Sequence, residues 1–267
     1  MDGGKRKMNE VKKLVEKYFK DVPNVQEFEE IKCNGKKCDI EEIKETCPQI
    51  VRYIDDLKKR LNNNLYAESI CFYRCKDAQV VLLGKDDRTN ERSKYALIDG
   101  NHVFCPSGNA NGDGHLNEFA NNIDGFVPNS FYHMENVTYR IDEKGRVCEM
   151  FEYHVTRRLT NRCDSHGPMK SIAEALDGKK TDVGGHLVAH SIDGPSEAIN
   201  IVPMDETFNN TGDWKKMEMC FLNAYQKHID FWVHKIIKYT EETSRPSHIE
   251  VNAEVDGKSY NWSFGSI

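Results

Sequence analysis

The sequence predicts an α+β fold, because strand-like alternation and helix-like periodicity occupy separate segments of its C-terminal half. Val137, Tyr139 and Ile141 occupy every second position, and the polar stretch 142–145 follows them. A second alternating pattern runs over residues 147–155. Apolar residues at every second position are typical of a strand with one buried face, and a short polar stretch between two such segments indicates a turn. These segments therefore predict an antiparallel hairpin.

A helix is predicted over residues 212–228, beside further strands. Its apolar residues recur three or four positions apart, namely Trp214, Met217, Phe221 and Tyr225. This spacing places them on one face of a helix, which we expect to be buried. Residues 229–239 predict another strand, and residues 249–264 predict a terminal hairpin that turns at 256–257. The loop at 164–181, rich in Gly, Lys and Asp, is expected to be mobile and to cover a cleft.

The chain divides by composition into three parts. Residues 1–105 form a region of unknown role, residues 106–125 form a Gly- and Asn-rich linker, and residues 126–267 form the C-terminal domain. In the first part, helical periodicity over 1–62 is followed by strand-like segments at 65–75, 78–83 and 95–104. The predicted architecture is thus an α+β domain preceded by a helical and mixed N-terminal region.

The composition is that of a soluble protein. The chain has 267 residues, of which 38% are hydrophobic and 30% are charged, and its formal net charge is −6. The sequence has no run of 18 apolar residues, so it predicts no membrane span. The basic N-terminus lacks the apolar stretch of a secretory signal. We therefore expect a protein that is cytoplasmic as made, with export by a non-classical route left open. The net charge argues against a surface coated for nucleic-acid binding, but a small catalytic cleft needs only local positive charge.

Nine cysteines have no spacing that specifies a metal site. Cys33, Cys38, Cys71 and Cys75 could together hold zinc, but no histidine completes that set and its spacing suits a zinc ribbon poorly. Free thiols in a reducing compartment are the favoured interpretation.

Residues 182–218 carry the chemistry. They contain Asp182-Val-Gly-Gly-His186-Leu, Ile199-Asn200-Ile-Val-Pro203, Phe208-Asn209 and Trp214-Lys-Lys-Met-Glu218. A neutral imidazole can take a proton from water near pH 7, and its usual pKa of about 6.5 predicts loss of activity in acid. Amide and carboxylate oxygens are hard ligands that suit Mg²⁺, which retains most of its waters.

These ordered motifs, together with Gly194-Pro195, resemble those of the DNA/RNA non-specific endonucleases, the ββα-metal-finger nucleases, and of their bacterial toxin-type branch in particular. The resemblance covers residues 126–267. It implies a ββα-metal finger packed on an antiparallel sheet. It also implies an Mg²⁺-dependent (or Mn²⁺-dependent) endonuclease that cleaves DNA and RNA to products with 5′-phosphates. A toxin role and an immunity or inhibitor protein as partner are further implications.

The resemblance assigns roles residue by residue. His186 corresponds to the general base, Asn209 to the direct metal ligand and Glu218 to the residue that holds metal-bound waters. Asn200 corresponds to a residue that supports the histidine, and Asp182 is a further candidate for orienting those waters. The family's older branch has an arginine before its Gly-His pair, where this chain has Gly184 before Gly185-His186. The cation that clamps phosphate must then come from elsewhere, and the candidates are Arg157, Arg158 and Arg162.

Three alternatives stay open at this point. A protein that keeps the fold but has lost catalysis could bind nucleic acid or a partner. Residues Asn109–Asn117 resemble a calcium loop, but Ala120 stands where its bidentate acid belongs, which favours a plain loop over a weak Ca²⁺ site. His190 follows His186 by four positions, yet no His-Glu-x-x-His pattern is present, so we expect a structural or substrate-side role for it.

Overall fold

The computed structural model describes residues 71–75, 78–85, 92–98, 101–105, 120, 126–134, 137–154, 169–195, 197–240, 242–265 and 267. The helices predicted over residues 1–62 and the calcium-like loop at Asn109–Asn117 lie outside these residues. Among the described helices, of which the longest has 14 residues, none has the length and apolarity needed to cross a membrane.

Within the described residues, ten strands form one sheet, and two more form a separate hairpin. In chain order the strands are β1 (Cys71–Cys75), β2 (Ala78–Lys85), β3 (Arg92–Ile98), β4 (Asn101–Cys105), β5 (Ser130–Met134), β6 (Val137–Ile141), β7 (Val147–His154), β8 (Asp182–His186), β9 (Ile201–Asp205), β10 (Phe231–Tyr239), β11 (Pro246–Val255) and β12 (Lys258–Gly265). The large sheet has the order β1-β2-β3-β4-β5-β6-β7-β10-β11-β12, and β8 pairs with β9 alone. The α+β class predicted from the sequence is confirmed.

The large sheet runs without a break from the N-terminal region into the C-terminal domain. Strand β4 pairs in parallel with β5, through His102 with Ser130 and Phe104 with Tyr132. Every other neighbouring pair in this sheet is antiparallel. The strand predicted over 95–104 is in fact two strands, β3 and β4, which turn back on each other between Ile98 and Asn101. The three-part division of the chain stays a prediction, although this pairing links its first and third parts.

The predicted hairpin over residues 137–155 is confirmed, but a bulge changes which residues of its second strand share a face with Val147. A register shift occurs in β6 between Arg140 and Ile141, so that Ile141 lies opposite Val147 while Arg140 lies opposite Glu149. A bulge of this kind inserts an extra residue and inverts the alternation beyond it. Met150 and Glu152 consequently lie on the same face as the buried Val147, in place of Glu149 and Phe151.

The separate hairpin and the helices around it form a compact layer over the large sheet. Strand β8 pairs antiparallel with β9, from Asp182 opposite Asp205 to His186 opposite Ile201. Helix α1 (Met169–Ala175) precedes the hairpin, and helices α2 (Glu206–Asn210) and α3 (Asp213–Gln226) follow it. The prediction of a mobile loop over 164–181 is therefore wrong for residues Met169–Ala175, which form helix α1. Helix α1 packs on β8 and β9 and buries Ile172 and Ala173, which supply an apolar face within a polar segment.

Helix α3 has the buried face that the sequence predicts. Trp214, Met217, Phe221 and Tyr225 are all buried, together with Ala224. Its aromatic residues pack on the large sheet: Trp214 lies 5.5 Å from Phe264 of β12, and Phe221 lies 5.5 Å from Phe231 of β10. Burial of such side chains stabilises the fold by about 1.5–3 kcal/mol each, so these contacts fix the helix on the sheet.

Candidate active site

His186 ends strand β8 and lies at the centre of the candidate site. Its ring is half-buried, and the ring of His190 lies 6.1 Å away between centroids. Burial, and then the proximity of His190, lower the pKa of His186 from 6.5 to about 4. A loss of activity near pH 6.5 is therefore no longer expected. The imidazole is neutral throughout the neutral range, as a general base requires.

The segment after His186 is held in place by the side chain of Asn200. The Asn200 amide oxygen accepts hydrogen bonds from Val188 N at 2.8 Å and from Tyr139 Oη at 3.0 Å. Its amide nitrogen donates to Val188 O at 2.9 Å and to Pro195 O at 2.7 Å. The side-chain amide of Asn200 is fully buried, and these four bonds satisfy both lone pairs of its oxygen and both hydrogens of its nitrogen. Asn200 therefore shapes the loop beside His186, and its amide is not directed at a substrate.

Two glycines allow this loop to close tightly. A Cβ added at Gly194 would lie 1.9 Å from the carbonyl oxygen of Val188, the same oxygen that accepts from Asn200. A Cβ at Gly185 would lie 2.3 Å from Sδ of Met204 on strand β9. The contact at Gly194 is with backbone and excludes a side chain there, whereas a side chain at Gly185 would force Met204 to move. The packing of the hairpin thus favours glycine directly before His186.

The structure gives Asp182 a partner other than the catalytic centre. Its carboxylate accepts two hydrogen bonds from Arg245, from Nε at 2.6 Å and from an Nη at 3.0 Å, and a third from Lys179 N at 2.8 Å. Burial alone would raise the pKa of Asp182, but the bonds and charge of Arg245 hold it below the ordinary value. Asp182 and His186 occupy opposite ends of β8, about 13 Å apart along the strand. The expected role of Asp182 in orienting metal-bound waters therefore lacks support.

Asn209 and Glu218 lie on the two helices that follow the hairpin. Asn209 is half-buried near the end of α2, and its amide nitrogen donates to Asn210 Oδ1 at 3.0 Å. Glu218 is 9% exposed on α3, and Lys215 approaches its carboxylate at 3.2 Å. Helices α2 and α3 pack against each other, with the rings of Phe208 and Trp214 6.0 Å apart. The two residues are thus carried on adjoining helices, of which α2 contacts β8.

This donor set fits a magnesium ion. Within the described part of the chain, no three His, Cys, Asp or Glu side chains gather into a metal cluster. A site built on many protein ligands, such as a structural zinc site, is therefore not formed by these residues. Mg²⁺ keeps several waters and needs only one or two protein oxygens, and the amide oxygen of Asn209 and the carboxylate of Glu218 are of the type that it prefers.

A buried charged group that the sequence analysis did not identify lies under the site. Lys235 of β10 is 3% exposed, and Glu152 of β7 is 1% exposed. Burial lowers the pKa of Lys235, an effect that the charges of Glu152 and Glu218 oppose. The sequence does contain an indication of it. Lys235 interrupts an alternating apolar series formed by Phe231, Val233, Ile237 and Tyr239.

The predicted phosphate-binding arginines Arg157, Arg158 and Arg162 lie outside the described residues. Three arginines whose side chains are described each pair with a carboxylate: Arg140 with Glu149, Arg146 with Asp142 and Arg245 with Asp182. Of the calcium-like segment, only Ala120 is described. It is fully buried, and its carbonyl accepts a hydrogen bond from Ile199 N at 2.9 Å. This residue is therefore part of the packed core next to Asn200.

The hairpin β8–β9 followed by α2 and α3 is a ββα arrangement that carries a histidine on a strand and an amide and a carboxylate on helices. The resemblance to ββα-metal nucleases drawn from the sequence implies an arrangement of this kind. Residues 128–257 match the family model described as DNA/RNA non-specific endonuclease. Residues 128–257 thus belong to the DNA/RNA non-specific endonuclease family. The toxin-type branch stays a prediction.

Among solved structures, the chain is similar to NucA from Streptococcus agalactiae, crystallised with no metal bound. The two share 15% sequence identity, the match covers 80% of this chain and 87% of that chain, and the TM-score is 0.38. A similarity at this level carries no argument about the site or its activity.

Proposed function

We propose that the chain is a magnesium-dependent endonuclease that hydrolyses phosphodiester bonds of both DNA and RNA. The observation that carries the proposal is the placement of a neutral, half-buried His186 at the end of a strand whose hairpin leads directly into the helices of Asn209 and Glu218. The family match over residues 128–257 supports nucleic acid as the substrate class.

In the proposed reaction, His186 takes a proton from a water molecule whose oxygen attacks phosphorus. The new P–O bond forms as the bond from phosphorus to the 3′ oxygen breaks, and that oxygen takes a proton from a solvent water, which leaves a 5′-phosphate and a 3′-hydroxyl. Removing such a base typically lowers a rate by about 10²–10⁴-fold. A magnesium ion held by Asn209 and by waters that Glu218 orients would supply positive charge at the leaving oxygen.

Asn200 and Asp182 act in this proposal as supporting residues. Asn200 fixes the backbone after His186 through its four hydrogen bonds. Asp182 holds the start of β8 through its ion pair with Arg245. Neither side chain needs to reach the scissile phosphate. A toxin role and an immunity protein as partner stay predictions, which co-expression with candidate inhibitors would test.

The proposal is tested with the purified 267-residue chain on a supercoiled plasmid and on a single-stranded RNA, each in Mg²⁺ and in EDTA. We expect cleavage of both in Mg²⁺ and none in EDTA. The product ends are then identified: a 5′-phosphate permits ligation without prior kinase treatment, whereas a 5′-hydroxyl does not. Cleavage that continues in EDTA, or products with 5′-hydroxyl ends, would contradict the proposed reaction.

A further inference from the structure

A lysine occupies the middle of the sheet face that supports the catalytic layer. A row of paired residues crosses β6, β7, β10, β11 and β12, one residue from each strand. In that order the row consists of Tyr139, Met150, Lys235, Val251 and Trp262. Residues paired in this way project from the same face of a sheet. Tyr139 and Met150 are fully buried, Val251 is 1% exposed and Lys235 is 3% exposed. The ammonium group is thus enclosed between the sheet and the layer that carries His186.

The contacts of Lys235 join the two halves of the candidate site. Its ammonium nitrogen donates a hydrogen bond to the carbonyl oxygen of Leu187, the residue that follows His186. The same nitrogen lies 4.6 Å from the centre of the Trp214 ring, which stands one turn before Glu218 on α3. A cation over an aromatic ring is attracted by the ring's electron-rich face. One side chain therefore contacts both the strand of the proposed base and the helix of the proposed metal site.

Acidic groups from two elements balance this buried charge. Glu152 on β7 and Glu218 on α3 both act on Lys235 electrostatically. Asp193 acts in turn on Glu152, and Tyr225 Oη of α3 donates a hydrogen bond to Asp193. Charged groups buried in this way are often no more stabilising than apolar residues of similar volume. Stability alone therefore gives no reason for an ammonium in an otherwise apolar and aromatic row.

Tyr139 in the same row supports this loop in a parallel way. Its hydroxyl donates to Asn200 Oδ1, and Asn200 binds both the N–H and the carbonyl of Val188. The row thus presents two polar groups to consecutive residues after His186. Lys235 holds Leu187 directly, and Tyr139 holds Val188 through Asn200.

We propose that Lys235 is a positioning residue of the nuclease: its ammonium fixes the Leu187–Val188 peptide, directly after His186, against helix α3 and so sets the base relative to Asn209 and Glu218. The inference rests on the proposed function, because it concerns the geometry of that reaction. Misplacement of a reacting group by about 1 Å can lower a rate by about 100-fold. The effect of losing Lys235 should accordingly appear in kcat.

The test compares Lys235→Met with Lys238→Met on the same strand. Lys238 is exposed and pairs with Glu250 on the surface, so it serves as a matched control that loses the same group. For Lys235→Met we expect kcat in saturating Mg²⁺ to fall by about 10- to 100-fold, with KM changed by less than about threefold. Lys238→Met should keep both values. A long-range ¹H–¹⁵N spectrum of the histidine rings should show a shifted His186 signal in the first variant alone.

A folded Lys235→Met protein with the kcat and the His186 signal of the wild type would overturn the proposal. If that variant does not fold, Glu152→Gln/Lys235→Met removes the lysine together with one acid partner, and the same readouts apply. Failure of both variants to fold would also overturn it, because Lys235 would then be a requirement of the fold itself. Absence of cleavage by the wild type would count against the proposed function instead, since the His186 signal reports on positioning without turnover.

Discussion

Tyr139 Oη and Asn200 Oδ1 lie 3.0 Å apart in a hydrogen bond that ties the large sheet to the loop after His186. Tyr139 belongs to β6 and Asn200 immediately precedes β9, so the bond spans 61 residues of sequence. Both residues are fully buried. The bond shows that the catalytic hairpin is positioned by the sheet beneath it as well as by its own turn.

Substitutions at these two residues should differ in severity. Tyr139→Phe removes one donor while Val188 N still binds Asn200 Oδ1, so we expect a loss of about 0.5–1.5 kcal/mol in the free energy of unfolding. Asn200→Asp places a carboxylate oxygen against the carbonyls of Val188 and Pro195 and should cost several times more. Urea unfolding measures both values. Equal losses in the two variants would show that the Asn200 amide does not hold the loop.

The sequence predicted those parts of the site that depend on local pattern. The hairpin with His186, the helix with Glu218 and the buried face of that helix all follow from residue periodicity and motif spacing. The inward direction of Glu152 was missed because a bulge in the β6–β7 pair inverts the alternation, and a bulge leaves no mark in the residue pattern. Helix α1 was missed because its segment is polar except for a short apolar face.

Long-range partners were beyond the reach of the pattern for a different reason. Arg245 binds Asp182 across 63 residues, and Lys235 binds the carbonyl of Leu187 across 48 residues. Such contacts depend on the order of strands in the sheet, which β10 enters between β7 and β11. Without that order, Asp182 is read as a member of the catalytic motif and not as the partner of an arginine.

The ion pair of Asp182 and Arg245 should contribute to stability and not to the chemical step. The Asp182 side chain is fully buried and that of Arg245 is 12% exposed, so Arg245→Met leaves a buried carboxylate without its cation. Breaking such a pair from one side typically costs about 3–5 kcal/mol. We expect a lower melting temperature and an unchanged kcat in the folded protein. A kcat reduced to the level of a base-deficient variant would return Asp182 to the catalytic machinery.

The same pair makes a prediction about acid stability. Because the folded protein holds the pKa of Asp182 below that of the unfolded chain, the pair contributes fully above the unfolded value of about 3.9. The contribution is lost as the pH falls below that value through the folded pKa. Unfolding free energies of the wild type and Arg245→Met should therefore converge below about pH 4. A difference that stays constant into that range would contradict the assigned pairing.

Activity should persist well below neutral pH. His186 acts as a base only when neutral, and its pKa is lowered to about 4, so protonation should remove activity near that pH and not near 6.5. Initial rates in Mg²⁺ from about pH 3.5 to 8 would show the midpoint of this loss. His190→Gln removes the second cause of the lowered pKa and should move the midpoint upward. A midpoint near 6.5 in the wild type would show that burial and His190 do not lower the pKa of His186.

The metal requirement should depend on Asn209 and Glu218 in the same direction. Asn209→Ala removes the proposed amide ligand, and Glu218→Gln removes the charge that orients metal-bound waters. Both variants should need more Mg²⁺ for half-maximal rate, typically by about 10- to 100-fold for residues around a metal. Asn223→Ala, which removes an exposed side-chain amide from helix α3, is the control. An unchanged Mg²⁺ requirement in both variants would place the metal elsewhere.

The central claim is that His186 is the base of a nuclease, and the most direct measurement is the cleavage rate of His186→Ala on supercoiled plasmid in Mg²⁺. His248→Gln serves as the control, since His248 lies on β11, where it contacts Ser263 and Glu250. The account predicts a loss of about 10²–10⁴-fold for His186→Ala with an unchanged circular dichroism spectrum, and a near-wild-type rate for His248→Gln. A near-wild-type rate in folded His186→Ala would contradict it.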